Sequence, residues 1–274
     1  MNKSFSIYLD FLRFSGAVLV VIAHFIQNDI ISYDLSFYFP ELGRESVILF
    51  FVLSGYVIAY TTHIKKESLV DYYVARLSRI YSVAFPLLLV SFFSYYYISS
   101  FLNIDNYQLE KLYIYIQFHL GFLGEIWFFS EKPPLLVPYW SLSYEVWYYI
   151  FFSTVYYFKG KVRLFLSSIV FLFIGYKLWL LMPIWFSGVF LYKYNCKFNV
   201  CSINVSKFLF VLSFMLFFVF KYFDFDDYLR WYGNDTWIFD GFPLDSADRY
   251  LSDYFVCFVI LFLSNSFQSV FYIR

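Results

Sequence analysis

Leu9 to Gln27 reads LDFLRFSGAVLVVIAHFIQ, a run long and apolar enough to cross a bilayer as a single helix. Runs like it recur along the whole chain, which is 61% hydrophobic and only 15% charged. A soluble domain averages roughly 45–50% apolar and about 25% charged residues. The chain is therefore read as polytopic and all-α, a bundle of transmembrane helices. Its aromatic residues run through every hydrophobic segment rather than forming one belt. A net charge of zero supplies no bulk field for a nucleic acid. Cys196, Cys201 and Cys257 have no metal-knuckle spacing and cannot all pair, so they are read as structural, and no metal site is expected.

Spanning-length stretches, oriented by Lys and Arg, predict about eight helices, near 8–28, 45–62, 80–100, 139–158, 164–180, 182–195, 208–223 and 251–270. The fifth and sixth are read as a short pair hinged near Met182-Pro183. The first run contains Asp10, Arg13 and His24 and no small-x-small site follows it, so it is a retained helix rather than a cleaved leader. Lys65, Lys66, Arg76 and Arg79 mark the connection after the second helix as cytoplasmic, which places the N terminus there too. The segment 111–138 has two readings, spanning, or else re-entrant or lying on the outer face. The second, non-spanning arrangement keeps KGKVR at 159–163 on the inside and is preferred. The acidic, aromatic stretch 224–250 is expected to face outward. There Trp231, Trp237 and the Asp residues could hold sugar, or simply form a solvated loop.

Ionisable residues inside a spanning helix mark function by default. Arg13 and His24 stand eleven residues apart, three turns with about 20° left over, so they share a face roughly 16 Å apart along the axis. Arg76 and Arg79, three apart in YVARLSRIY, share a face and could clamp a phosphate or pyrophosphate. Arginines at a cytoplasmic helix end also satisfy the positive-inside rule. In WSLSYE, Trp140 anchors the interface while Ser141, Ser143 and Glu145 bring polar groups to the mouth of a helix. The plain reading of these is capping. Ser54-Gly55 suggests close helix packing. His63, among lysines, and His119, in the 111–138 segment, are weaker candidates than His24.

Taken together, LDFLRFSGAVLVVIAHF, FFVLSGYVI, ARLSRIY and WSLSYEVWYY resemble the bacterial acyltransferase family 3, integral-membrane enzymes that O-acylate extracytoplasmic glycans. The resemblance covers roughly residues 7–158. It implies that His24 is the general base, with Ser141 and Glu145 of the Trp-Ser-carboxylate signature beside it in catalysis. It also implies that Arg13, Arg76 and Arg79 serve an acyl-coenzyme A donor, most simply acetyl-CoA, while Trp140 and Ser143 meet the acceptor, a glycan or lipid-linked sugar. The setting would be the bacterial inner membrane. Two departures stand out. Ile48 occupies a position that is acidic in many relatives, with Glu45 nearby but out of register. The chain also stops after the eighth helix, where relatives continue through a late Ser-Tyr and His signature, so truncation is one expectation. A polysaccharide flippase or polymerase would share the composition, but its charged or broken helices should recur in two matching halves. An inactive scaffold is the third reading. Nothing in the sequence sets the oligomeric state.

Overall fold

The computed structural model describes residues 3–31, 39, 41–102, 107–195, 203–235 and 241–272. Cys196, Cys201 and Trp237, named above, and Asp240 of the acidic stretch lie outside the described residues. Among the described residues there are eleven α-helices: α1 Lys3–Gln27, α2 Gly43–Lys65, α3 Leu69–Leu102, α4 Tyr107–Glu110, α5 Leu112–Leu120, α6 Tyr139–Tyr157, α7 Gly160–Ile174, α8 Tyr176–Asn195, α9 Ile203–Tyr222, α10 Phe225–Asp235 and α11 Tyr250–Tyr272. A short 3₁₀ turn covers Asp245–Ala247. The all-α expectation holds, and each of the eight anticipated helices has a counterpart. Within α1, α2, α3 and α9 there are four stretches both long and apolar enough to cross a membrane. Large side chains such as Phe14, Phe93, Phe101 and Phe218 stand exposed, a surface that lipid accepts and water would not. The chain is an integral membrane protein.

Three details differ from the sequence reading. Helix α3 begins at Leu69, eleven residues before the expected start, because Ser68 caps it. The Ser68 hydroxyl accepts the Asp71 N–H at 3.2 Å and donates to the Asp71 carboxylate at 2.7 Å. The break between α7 and α8 falls at Gly175 rather than at Met182-Pro183, and Pro183 is carried inside α8. Gly175 has φ +81°, and a Cβ there would lie 2.8 Å from the Trp127 backbone, so both conformation and space require glycine. Finally, the expected outward loop 224–250 contains a helix, α10.

Segment 111–138 holds only the nine-residue α5 followed by turns. At 1.5 Å per residue that helix is about 14 Å long, too short for a hydrocarbon core of about 30 Å. The segment therefore contains no helix of spanning length.

The chain forms two compact units. One comprises residues 1–61, 183–242 and 248–274, the other 62–182 and 243–247. In the first, α1 runs antiparallel to α2: Leu9 packs with Leu53 and Tyr56, Gly16 sits beside Phe50, and Ala23 meets Gly43. Helix α2 also crosses the later part of α8 at Gly55 and Gly188. A Cβ on Gly55 would overlap the Trp185 carbonyl, and one on Gly188 the Val52 carbonyl. The small-residue signal at Ser54-Gly55 thus marks a true close approach. In the second unit α6 packs on α7 and α3. Its Tyr148 hydroxyl donates to the Leu178 carbonyl at 2.7 Å, and the Trp147 indole N–H to the Phe122 carbonyl at 2.9 Å.

Candidate functional site

In the first unit α1 is unbroken from Arg13 to His24, so the one-face relation inferred from spacing stands. Leu9, Gly16 and Ala23 form its buried stripe, and Arg13 and His24, both half-buried, lie along one edge of that stripe. Arg13 is 3.7 Å from the exposed carboxylate of Asp10. The His24 carbonyl accepts the Asn28 side-chain amide at 2.7 Å, closing the helix end.

Because Ala23 meets Gly43, His24 comes level with the start of α2. That end of α2 carries two ion pairs. The Arg44 guanidinium grips Asp253 with both oxygens engaged, Nε to Oδ1 at 3.0 Å, and Asp253 is fully buried. Lys221 pairs with Glu45 and lies 3.9 Å from Asp226, which also accepts Arg249 at 2.6 Å. Arg230 pairs with Asp248. Asp226 and Asp248 of the acidic stretch are therefore tied to basic residues. Asp253 was missed as part of this end, although an aspartate in the first turn of an apolar run is the signal that could have found it.

In the second unit α3 and α6 run antiparallel. The Tyr72 hydroxyl donates to the Tyr149 carbonyl at 3.1 Å, Tyr73 and Ser153 hydroxyls meet at 2.6 Å, and the Tyr157 hydroxyl donates to the Glu67 carbonyl at 3.1 Å. Arg76 is nearly enclosed. Its Nη2 lies 3.3 Å from the Glu67 carboxylate and its guanidinium sits 5.2 Å from the Tyr72 ring centre. Arg79, one turn on, is exposed.

The WSLSYE residues open α6. Trp140 meets the Tyr144 ring edge-on at 5.5 Å, and Ser143 is buried. The Ser141 hydroxyl donates to the Pro138 carbonyl at 3.0 Å, and Glu145 accepts the Tyr149 hydroxyl. Tyr149 is held at two points, its backbone carbonyl by Tyr72, which faces Arg76, and its hydroxyl by Glu145.

Lys177, which the sequence reading passed over, has no exposed side-chain surface. Its ammonium reaches the buried Glu125 at 3.4 Å and Asp245 at 3.7 Å, and donates to the Phe129 carbonyl. Glu125 also accepts the Ser246 hydroxyl at 2.5 Å, and that hydroxyl meets Tyr144 at 2.9 Å. Burial pushes the Glu125 carboxyl up, against the pull of Lys177 and Ser246. This network fastens the 121–131 and 243–247 segments to α6 and α8.

His119 is also buried, walled by Phe92, Tyr115, Phe118 and Tyr139, and neither ring nitrogen finds a partner. Burial lowers its pKa to about 4. Cys257 is buried, with its sulfur 3.3 Å from the Ser187 hydroxyl, and Ile48 is part of the core. Among the described residues no three His, Cys, Asp or Glu gather as metal ligands.

A family model described as "Acyltransferase domain", that of acyltransferase family 3, matches residues 6–271. No curated protein and no solved structure matches the chain.

Proposed function

The chain belongs to acyltransferase family 3, and from that premise we propose that this membrane acyltransferase moves an acyl group, most simply acetyl, from coenzyme A to a hydroxyl of a cell-surface polysaccharide or lipid-linked sugar. The observation that carries the proposal is the family match across 6–271, joined to four motifs that fall in family order. The bacterial inner membrane, with a cytoplasmic N terminus, is the setting this reading implies.

In the proposed reaction Arg13, Arg76 and Arg79 take the anionic groups of the donor, for which guanidinium forks suit phosphate oxygens. Trp140 and Ser143 meet the acceptor, while Ser141 and Glu145 orient its reacting hydroxyl. The neutral His24 ring accepts the hydroxyl proton as the oxygen bonds to the thioester carbonyl carbon. The carbon–sulfur bond then breaks, and the departing thiolate takes the proton back to leave as free coenzyme A. An acyl-enzyme intermediate would divide the same bond changes into two transfers.

The test is glycan O-acetylation in a strain lacking its own activity, complemented with the wild type or His24→Ala at matched membrane levels. Acetyl groups restored by the first and not the second support the reaction and the base together. Full restoration by His24→Ala would remove His24 from the chemistry.

A further inference from the structure

Arg76 has only 11% of its side chain exposed, and the carboxylate facing it, Glu67, only 10%. Arg79 is exposed one turn away. The two arginines assigned to donor phosphates are thus in opposite states: one open to solvent, the other already holding an anion. Around Arg76 the Tyr72 ring covers one side at 5.2 Å and the Glu67 carboxylate occupies Nη2 at 3.3 Å. Glu67 engages Nη2 alone, but with 11% of the side chain exposed little of the guanidinium is open to a second anion. A phosphate approaching Nη2 of Arg76 would compete directly with Glu67.

Glu67 is well placed to leave. It lies in the two-residue link between Lys65, the end of α2, and Ser68, the cap of α3. Its carboxylate also sits 3.8 Å from the exposed Lys65 ammonium, a second cation able to receive it. Its backbone is anchored separately, because its carbonyl accepts the Tyr157 hydroxyl at 3.1 Å, so the side chain can swing without the link unravelling.

We propose that Glu67 is an internal competitor for the donor's phosphates, holding Arg76 until an anion captured at Arg79 displaces it towards Lys65. The inference rests on the assignment of Arg76 and Arg79 to the coenzyme A donor. Glu67 thereby sets donor affinity and raises the threshold for weakly charged anions, since only a polyanion can engage Arg79 and still compete at Arg76. It is a specificity-determining residue, not a catalytic one.

The experiment is binding of free coenzyme A to the purified full chain in detergent, measured calorimetrically for the wild type, Glu67→Gln, Glu67→Ala and Arg76→Gln. Both Glu67 variants are expected to bind about three- to tenfold more tightly than the wild type, the weight of one part-buried ion pair. Arg76→Gln is expected to bind more weakly. They should also narrow the gap between coenzyme A and inorganic phosphate as competitors. Weaker or unchanged coenzyme A binding in both Glu67 variants would overturn the competitor role and make Glu67 a support for Arg76. A wild type that binds no coenzyme A would overturn the donor assignment itself, and this inference with it.

Discussion

Lys177 and Glu125 were not read as a pair because 52 residues separate them and no helical spacing links them. Glu125 could be noticed as a carboxylate in an apolar segment, but only the folded chain supplies its partner. A buried pair is costly to break from one side, since the remaining charge is stranded. Lys177→Met is expected to destabilise the protein by about 3 kcal/mol, and Lys177→Met with Glu125→Gln to recover most of that, measured by thermal unfolding in detergent. His119 gives a pH-dependent counterpart. With a pKa of about 4 in the folded chain and about 6.5 unfolded, it is neutral when buried and more easily protonated when released. The unfolded state therefore binds more protons between those values. Stability should be intact above about pH 6.5 and fall by at most about 3 kcal/mol as pH drops towards 4. His119→Phe should flatten that part of the slope, and a slope unchanged by the substitution would assign it to other groups. By contrast, Arg13 and His24 were legible from spacing alone, because both ride one continuous helix.

At the scale of elements, hydropathy located all eight long helices, since a bilayer demands runs of one length and polarity. It misplaced two boundaries for local reasons. The start of α3 was hidden by Asp71, Arg76 and Arg79, which interrupt its apolar run, so the Ser68 cap went unrecognised. The α7–α8 break was drawn to Pro183, whereas the left-handed Gly175 against Trp127 makes it. The α2–α8 crossing is the contact least able to absorb bulk, because backbone meets backbone at Gly55 and Gly188. Gly55→Leu is expected to cost more than about 3 kcal/mol or to abolish accumulation of folded protein. Gly160, with open space around its Cβ position, is the control: Gly160→Asn should cost about 1 kcal/mol or less, asparagine being tolerant of its positive φ. Membrane fractionation followed by size-exclusion chromatography separates these outcomes.

For the whole molecule, family membership over 6–271 and the apolar exterior define a membrane acyltransferase, and the proposal adds the donor, the acceptor and the base. The four motifs carried that reading because each couples a charge or a small residue to a helix position where lipid would otherwise forbid or ignore it. The Arg44–Asp253 and Lys177–Glu125 pairs were not legible in the same way, since each is closed by residues remote in sequence. The central claim is tested most directly by reconstituting the full chain in liposomes. Acetyl-coenzyme A labelled in its acetyl group is supplied on one side, the candidate surface glycan on the other, and glycan-bound label is measured alongside free coenzyme A. The wild type is expected to transfer label with one coenzyme A released per acetyl group. His24→Ala should transfer at least about a hundredfold more slowly, with insertion unchanged. Label transferred equally by both proteins, or coenzyme A binding with no label reaching any glycan hydroxyl, would contradict the account.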